Sequence, residues 1–285
     1  METRQLIEML NRDLADEHAA ILRYLIHAYL EGEDTPLGAS LLSRSREEMW
    51  HMHWLGMIIA QLGGEPNMTP AEYPYDPSSR STILESYIKY EEDLVPHYRK
   101  EAERVDDPHI KRVLEREAWE SSYHAVKFRQ KLSKLSPEEA QGKPEGEMEL
   151  SSSLLEQLQS EVNAKYNEMV QHVRDSWVFQ QNGLLSWEIM NQSMEKMKQL
   201  AHFAEDVAEN GVNPDFAVAG LETGSDIRSS LQAAHRSLAL DRERHAGLAQ
   251  DEELQQHSGL VSNLDLTLRQ EKYQADEIED WLNKL

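Results

Sequence analysis

The sequence predicts an all-α protein built as two tandem four-helix bundles, each made of two helical hairpins joined by a long crossover. Three observations carry that expectation. The chain has 285 residues, long for one helical bundle and comfortable for two cores of ordinary domain size. Its long stretches carry apolar residues at helical spacing with little β-branched alternation, and glycine and proline gather at a few breaks between them. The order of those breaks in the first half recurs in the second.

The first helix is expected near 3–31, followed by the breaker GEDTPLG and a second helix near 37–63. That helix should stop at Gly63 and Gly64 with Pro66 just beyond, the glycine-then-proline ending of many helices. The next stretch, EPNMTPAEYPYDPSSRS, holds Pro66, Pro70, Pro74 and Pro77; it cannot be helical and is long enough to run from one end of a bundle to the other. A third helix is expected near 81–105, broken by DDP, and a fourth near 108–134. Residues 133–153, SKLSPEEAQGKPEGEMELSSS, are polar and nearly free of large apolar groups. They divide the chain into a first bundle over 1–135, a linker over 136–152 and a second bundle over 153–285. In the second bundle helices are expected near 154–181 and 186–210, then a loop over 211–225, then helices near 226–255 and 258–284.

The repeat is visible residue against residue. EEMWHMHWLGMIIAQLGGEP, from Glu47 to Pro66, aligns without gaps on EKMKQLAHFAEDVAENGVNP, from Glu195 to Pro214. DPHIKRVLEREAWESSYH, ending at His124, aligns on HSGLVSNLDLTLRQEKYQ, ending at Gln274. Any two amphipathic helices share apolar matches by chance, so the common order of breaks carries the case for duplication more than the matches do.

Composition removes several functional classes. The 29 Lys and Arg stand against 52 Asp and Glu, and the net charge of -23 repels phosphate backbones and anionic membrane surfaces. Nucleic acid and membrane are therefore not expected partners, while metal cations suit this charge, although an acidic surplus is more often a solvated surface. With no cysteine there is no disulfide, thiolate zinc site or iron–sulfur ligation. The opening METRQLIEMLNRDL has no apolar signal region, and no stretch approaches 18 uncharged apolar residues, so a soluble, cytoplasmic protein is expected.

Glu48 and His51 form an E-x-x-H pair, three apart and hence on one helix face. The pair alone is weak, since such spacing is common and His51 on its own reads as a hydrogen-bonded core histidine. Its surroundings sharpen it. Glu17 stands among Leu10, Leu14, Ile21, Tyr24 and Leu25, a stripe that should face the core, where an unpaired carboxylate would be costly. Glu91 lies two turns into the third helix, and His124 shares a face with Leu114, Glu117, Ser121 and Phe128. His18, His27, His53, His97 and His109 flank the site or the helix ends and read as ordinary histidines. Trp50, Trp54 and Trp119 read as packing or interface residues.

Through LNRDLADEHAAILRY (Leu10 to Tyr24), EEMWHMHWLGMIIAQLGGEPN (Glu47 to Asn67) and EDLVPHYRKEAERVDDP (Glu92 to Pro108), the first half resembles the bacterioferritin and rubrerythrin branch of the ferritin-like superfamily. The resemblance covers residues 5–130 and implies a di-metal carboxylate site, with one Glu from each of two helices and an E-x-x-H pair from each of the others. It makes Glu17 and Glu91 single-carboxylate ligands, Glu48 and His51 one pair, His124 the second histidine, and Tyr24 the tyrosine beside the metals. Ser121 departs from the pattern, standing where the second pair wants Glu. A one-residue π-bulge would swing Glu120 into the site in its place, whereas Glu117 lies on the correct face but a turn away. Occupancy by two ions, one or none follows from which of these holds. Met49 matches a position that ligates haem in bacterioferritins but is more simply a core filler, and haem is not expected.

In the second half the corresponding positions are Glu161, Lys196, Gln199, Asp241, Glu271 and Gln274. A charged ammonium cannot ligate, so Lys196 is expected to stand in for metal, offsetting Glu161, Asp241 and Glu271. The leading functional expectation is a non-haem iron or manganese oxidoreductase of ferroxidase or peroxidase type. It would act on O2 or peroxide through the first bundle, with Tyr24 as a tuning or radical partner and an external electron donor. Iron binding or storage is the alternative, and a scaffold with two inactive sites is the third. A small homo-oligomer fits better than a closed shell, since a fused pair of bundles changes the symmetry a shell uses.

Overall fold

The computed structural model describes residues 1–142, 149–224 and 226–285. Among these there is no strand, and the chain divides into two compact units, Met1–Glu145 and Gly146–Leu285.

In the first unit α1 (Thr3–Glu31) and α2 (Pro36–Gln61) form one hairpin, and α3 (Arg80–Ala102) and α4 (Pro108–Leu132) form the other. The GEDTPLG turn is tight. Gly32 ends α1 at φ 82°, and a Cβ on Gly38 would lie 2.0 Å from the Gly32 carbonyl oxygen. Thr35 caps α2 by accepting from the Gly38 amide, Ser79 caps α3 from within a capping box, and Asp107 caps α4 ahead of Pro108. The crossover between α2 and α3 is tied to α1. Its Ala71 amide donates to the Ala15 carbonyl, Met68 is buried, and Tyr73 packs on Tyr24 and Tyr87. The core around Tyr24, Leu41, Leu84, Tyr87 and Phe128 is fully or almost fully buried, each large side chain contributing roughly 1.5 to 3 kcal/mol of transfer free energy.

The second unit repeats the arrangement with α6 (Ser152–Val178) against α7 (Leu184–Glu209), and α8 (Ile227–Leu248) against α9 (Ser258–Lys284). Its crossover is held differently. Gln159, Asn163, Asn167 and Gln171 recur every four residues on α6. Their side-chain carbonyls accept from the amides of Asp215, Ala217, Ala219 and Glu222 in register. Gln159, Asn167 and Gln171 also donate to crossover carbonyls. An extended loop is thereby given backbone partners without a sheet.

Three expectations need correction. The stretch read as a linker over 136–152 contains a short helix, α5 (Pro137–Gln141), because Ser136 and Glu139 make a capping box with Pro137 at the first helical position. Gly142 then accepts from the Arg80 amide, tying the segment to α3. The helix expected to reach 255 ends at Leu248, where Asp251 accepts from the amides of Glu253 and Leu254 and turns the chain. The helix expected to reach 181 ends at Val178 and gives way to a 3-10 turn over Gln180–Asn182. Residues 143–148 of the expected linker, and Ser225 of the expected loop, lie outside the described residues.

Candidate metal centre

Each of the four long helices of the first unit sends a carboxylate or imidazole to the same interior region. Glu17 (α1), Glu48 and His51 (α2), Glu91 (α3) and His124 (α4) are all at most 2 % exposed. Glu48 occupies the middle. Its Oε2 lies 2.7 Å from His51 Nδ1 and its Oε1 lies 2.7 Å from His124 Nδ1. Glu17 Oε2 is 3.3 Å from His51 Nδ1, and Glu91 Oε1 is 3.3 Å from His124 Nδ1. Two groups that could hold metal ions follow, Glu17–Glu48–His51 and Glu48–Glu91–His124, with Glu48 common to both.

The surroundings repeat about an approximate two-fold axis. Tyr24 of α1, seven residues after Glu17, donates to Glu91 Oε1 at 2.8 Å, while Tyr98 of α3, seven residues after Glu91, donates to Glu17 Oε1. The outer ring nitrogens are treated alike. Glu120, four before His124, reaches His51 Nε2 at 2.5 Å, and Glu47, four before His51, reaches His124 Nε2 at 2.7 Å. The imidazoles face each other, their centroids 6.2 Å apart. An outer carboxylate on Nε2 favours a proton there and leaves Nδ1, once its own proton is lost, as the inward nitrogen a metal would take, the usual support of a metal-ligating histidine.

This symmetry explains Glu120. It is the counterpart of Glu47, not of Glu48, so it sits on the outer side of His51, with Arg116 Nε donating to its other oxygen at 2.8 Å. The helix α4 is regular throughout and no π-bulge turns Glu120 inward. The true counterpart of Glu48 is Ser121, and there alone the ligand pattern is broken. Glu117, one turn before Ser121, is fully buried, and neither carboxylate oxygen has a hydrogen-bond partner among the described residues.

Electrostatics mark the region as short of positive charge. Burial, then the Glu48 carboxylate, pushes Glu17 up to about 7. The same two causes raise Glu91, and burial pushes Glu117 well above the ordinary carboxylate range. Burial would also raise Glu48, but the His124 and His51 charges hold it well below normal. Burial alone would lower His51 and His124; their carboxylate neighbours hold both well above the usual imidazole value. Tyr24 is raised by burial and by Glu91, so it stays protonated and remains a donor. Glu48 Oε1, His124 Nδ1 and both Glu117 oxygens are buried without a hydrogen bond of acceptable geometry. A divalent cation between these carboxylates and imidazoles would relieve that deficit, and the donor set suits iron or manganese.

The second unit keeps the burial and changes the cation. Glu161, Lys196, Gln199, Asp241, Glu271 and Gln274 are all interior, at most 3 % exposed. The expectation that Lys196 neutralises Glu161, Asp241 and Glu271 is corrected in its partner assignment. Lys165, one turn after Glu161 and overlooked in the sequence, is the cation that binds Asp241, Glu271 (2.6 Å) and Glu168 (3.1 Å). Lys196 lies 2.6 Å from Glu168 Oε2. Glu161 is taken by His245 Nε2 at 2.7 Å and by Arg244 in a two-pronged contact at 2.5 and 2.8 Å. The visible signal was Glu161 and Lys165 at i and i+4 on the apolar face of α6.

Met49 is half-buried and Trp50 and Trp119 are exposed, so none of the three belongs to the centre. His27 bonds Tyr87 and Glu31. His97, read as ordinary, instead joins Asp13 and Glu101 in a third potential metal-holding group. No helix among the described residues is long and apolar enough to cross a membrane. The family model for the ferritin-like domain matches residues 7–137. No curated protein matches the chain.

Proposed function

Since residues 7–137 form a ferritin-like domain, we propose that the first unit binds two iron or manganese ions and uses them as an oxidoreductase toward O2 or peroxide. The observation that carries this reading is Glu48, whose two oxygens stand 2.7 Å from two inward-facing imidazole nitrogens. Glu17, Glu48 and His51 would hold one ion and Glu48, Glu91 and His124 the other, with Glu48 between them. Iron or manganese would supply the electrons and the vacant coordination positions that the side chains lack.

The protein's own groups prepare the site. Tyr98 and Tyr24 orient the Glu17 and Glu91 carboxylates. Glu120 and Glu47 fix the tautomers of His51 and His124. Tyr73 donates to the Tyr24 oxygen at 3.0 Å, which keeps the Tyr24 proton directed at Glu91. With no cysteine for an internal iron–sulfur relay, the reductant is a separate electron carrier.

Elemental analysis of the full chain, purified without chelators, should find two ions of iron or manganese per chain. Glu48→Gln should lose both and His51→Ala one. Metal-free wild type after loading with Fe2+, or an unchanged content in Glu48→Gln, would reject the site. Loaded protein that consumes neither O2 nor peroxide in the presence of Fe2+ would leave a binding protein rather than an oxidoreductase.

A further inference from the structure

The approximate two-fold axis of the first unit relates the two ends of the bundle, and the ends are not chemically alike. At one end stand Arg23, His27 and Tyr87, with His27 Nδ1 3.1 Å from the Tyr87 hydroxyl and Arg80 bound to Glu31 at 2.6 Å. The symmetry-related positions at the other end, at the same offsets from Glu91 and Glu17, carry His97, Glu101 and Asp13. Arg44, seven before His51, pairs with Glu47 at 2.7 Å; its counterpart seven before His124 is Glu117. One end therefore offers its own cations to its acids, and the other offers carboxylates to a cation that must come from outside.

The geometry at the acidic end is that of a ligand set. His97 Nε2 lies 3.0 Å from Asp13 Oδ1 and 3.5 Å from Glu101 Oε2. One ligand atom from each of the three residues falls within 4.8 Å of the others. Asp13 is fully buried and Glu101 is 4 % exposed; the two carboxyls face each other, and beyond that mutual contact and His97, Asp13 Oδ2 and Glu101 Oε2 have no hydrogen-bond partner among the described residues. The Arg12 guanidinium reaches only to 4.0 Å of Glu101 and is largely exposed, which makes it a weak counter-charge. The His97 side chain is 40 % exposed and supplies a face to solvent.

The set is also connected inward. Asp13 is one turn before Glu17 on α1, and Tyr98, next to His97, donates to Glu17. Glu117, one turn before Ser121 on α4, is fully buried with both oxygens unpartnered, a further open carboxylate in the same unit. The second unit does not keep the set. The positions matching Asp13, His97, Glu101 and Glu117 are Gln157, Gly247, Asp251 and Thr267. Where the inner cluster holds lysine, the outer set is reduced to one acid, Asp251, and that carboxylate accepts from the Glu253 and Leu254 amides.

We propose that Asp13, His97 and Glu101 form an accessory divalent-cation site at the solvent edge of the first unit, from which ions pass by Glu117 to the inner pair. Two carboxylates and one imidazole with open positions toward solvent suit a hard or borderline ion such as Mn2+ or Fe2+, held loosely enough to move on. The inference rests on the di-metal reading of the inner centre.

The test is titration of the metal-free full chain with Mn2+, counting free ion by its electron paramagnetic resonance signal and following the rate of inner-site filling after mixing. Wild type should bind three ions, the third more weakly. His97→Ala, at a half-exposed position that the fold tolerates, should bind two and fill them on the order of tenfold more slowly. Glu101→Gln should behave as His97→Ala does. In His51→Ala the accessory ion should persist, and in the His51→Ala/His97→Ala double variant it should vanish. Two ions in wild type with filling rates unchanged by either outer substitution would overturn the accessory site and leave the inner centre standing. No bound Mn2+ in wild type would overturn both.

Discussion

In the first unit Glu17, Glu48, Glu91 and Glu117 are buried around two imidazoles, whereas in the second Glu161, Glu168, Asp241 and Glu271 are buried around Lys165, Lys196, Arg244 and His245. A central cluster of four interior carboxylates is common to both. The second unit matches them with four side-chain cations, one for each acid when His245 is protonated, and the first does not. Buried acid without a built-in cation is costly to fold, so its retention points to a ligand. The same scaffold thus illustrates two solutions of one charge problem, an internal cation that is permanent and an external one that can exchange.

The comparison breaks most sharply at Lys165. Lys165→Met should strand Asp241 and Glu271 and destabilise the second unit by about 3 to 5 kcal/mol, while protection of the first unit is unchanged. Hydrogen exchange read peptide by peptide on the full chain separates the two. Equal protection of α6 and α9 in variant and wild type would mean that Lys165 is not the keystone cation.

Metal should act on the other unit alone. At Mn2+ a hundredfold above its dissociation constant, protection of α1 to α4 should rise by about 2.7 kcal/mol and that of α6 to α9 should not change. A rise in the second unit would show that its lysines do not exclude cations.

The smallest effect is the opposite pH slope of the metal-free units. In the first unit Asp13 and Glu17 are pushed up to about 7 and Glu101 to about 8, in each case chiefly by burial. The native state then holds more protons than the unfolded chain from the ordinary carboxylate range up to those values, so stability falls as pH rises through that window. In the second unit burial opposes ionisation of Glu161, but His245 and Arg244 hold it at about 2. Its contribution is complete above about 4.5 and is lost as pH falls toward 2. Asp206 and Asp241, raised to about 6, add a shallower slope of the first unit's sign between about 4 and 6. Parallel pH profiles for the two units would contradict the charge accounting.

The sequence displays the helices and the inner ligands because both follow short-range rules. Breaks at Gly32, Gly63 and Pro66 bound helices whose faces are set by the 3.6-residue repeat, and Glu48 and His51 share a face by spacing alone. What it conceals depends on which carboxylate meets which imidazole across helices. Glu120 looks like a substitute for the missing ligand at Ser121 until the counterpart relation to Glu47 is seen, and that relation exists only once α2 and α4 are packed. Lys165 was hidden by its ordinary look as one lysine among helix-forming residues, and His97 by its position near a helix end. The α5 helix was legible in Ser136-Pro137-Glu138-Glu139 and was masked by the polar composition around it.

The most direct test is anomalous scattering at the iron and manganese edges from crystals of the full chain grown with those ions. Two peaks flanking the Glu48 carboxylate, with none among Lys165, Lys196 and their acids, is the predicted result. A peak in the lysine cluster, or no density beside Glu48, His51 and His124, would contradict the account.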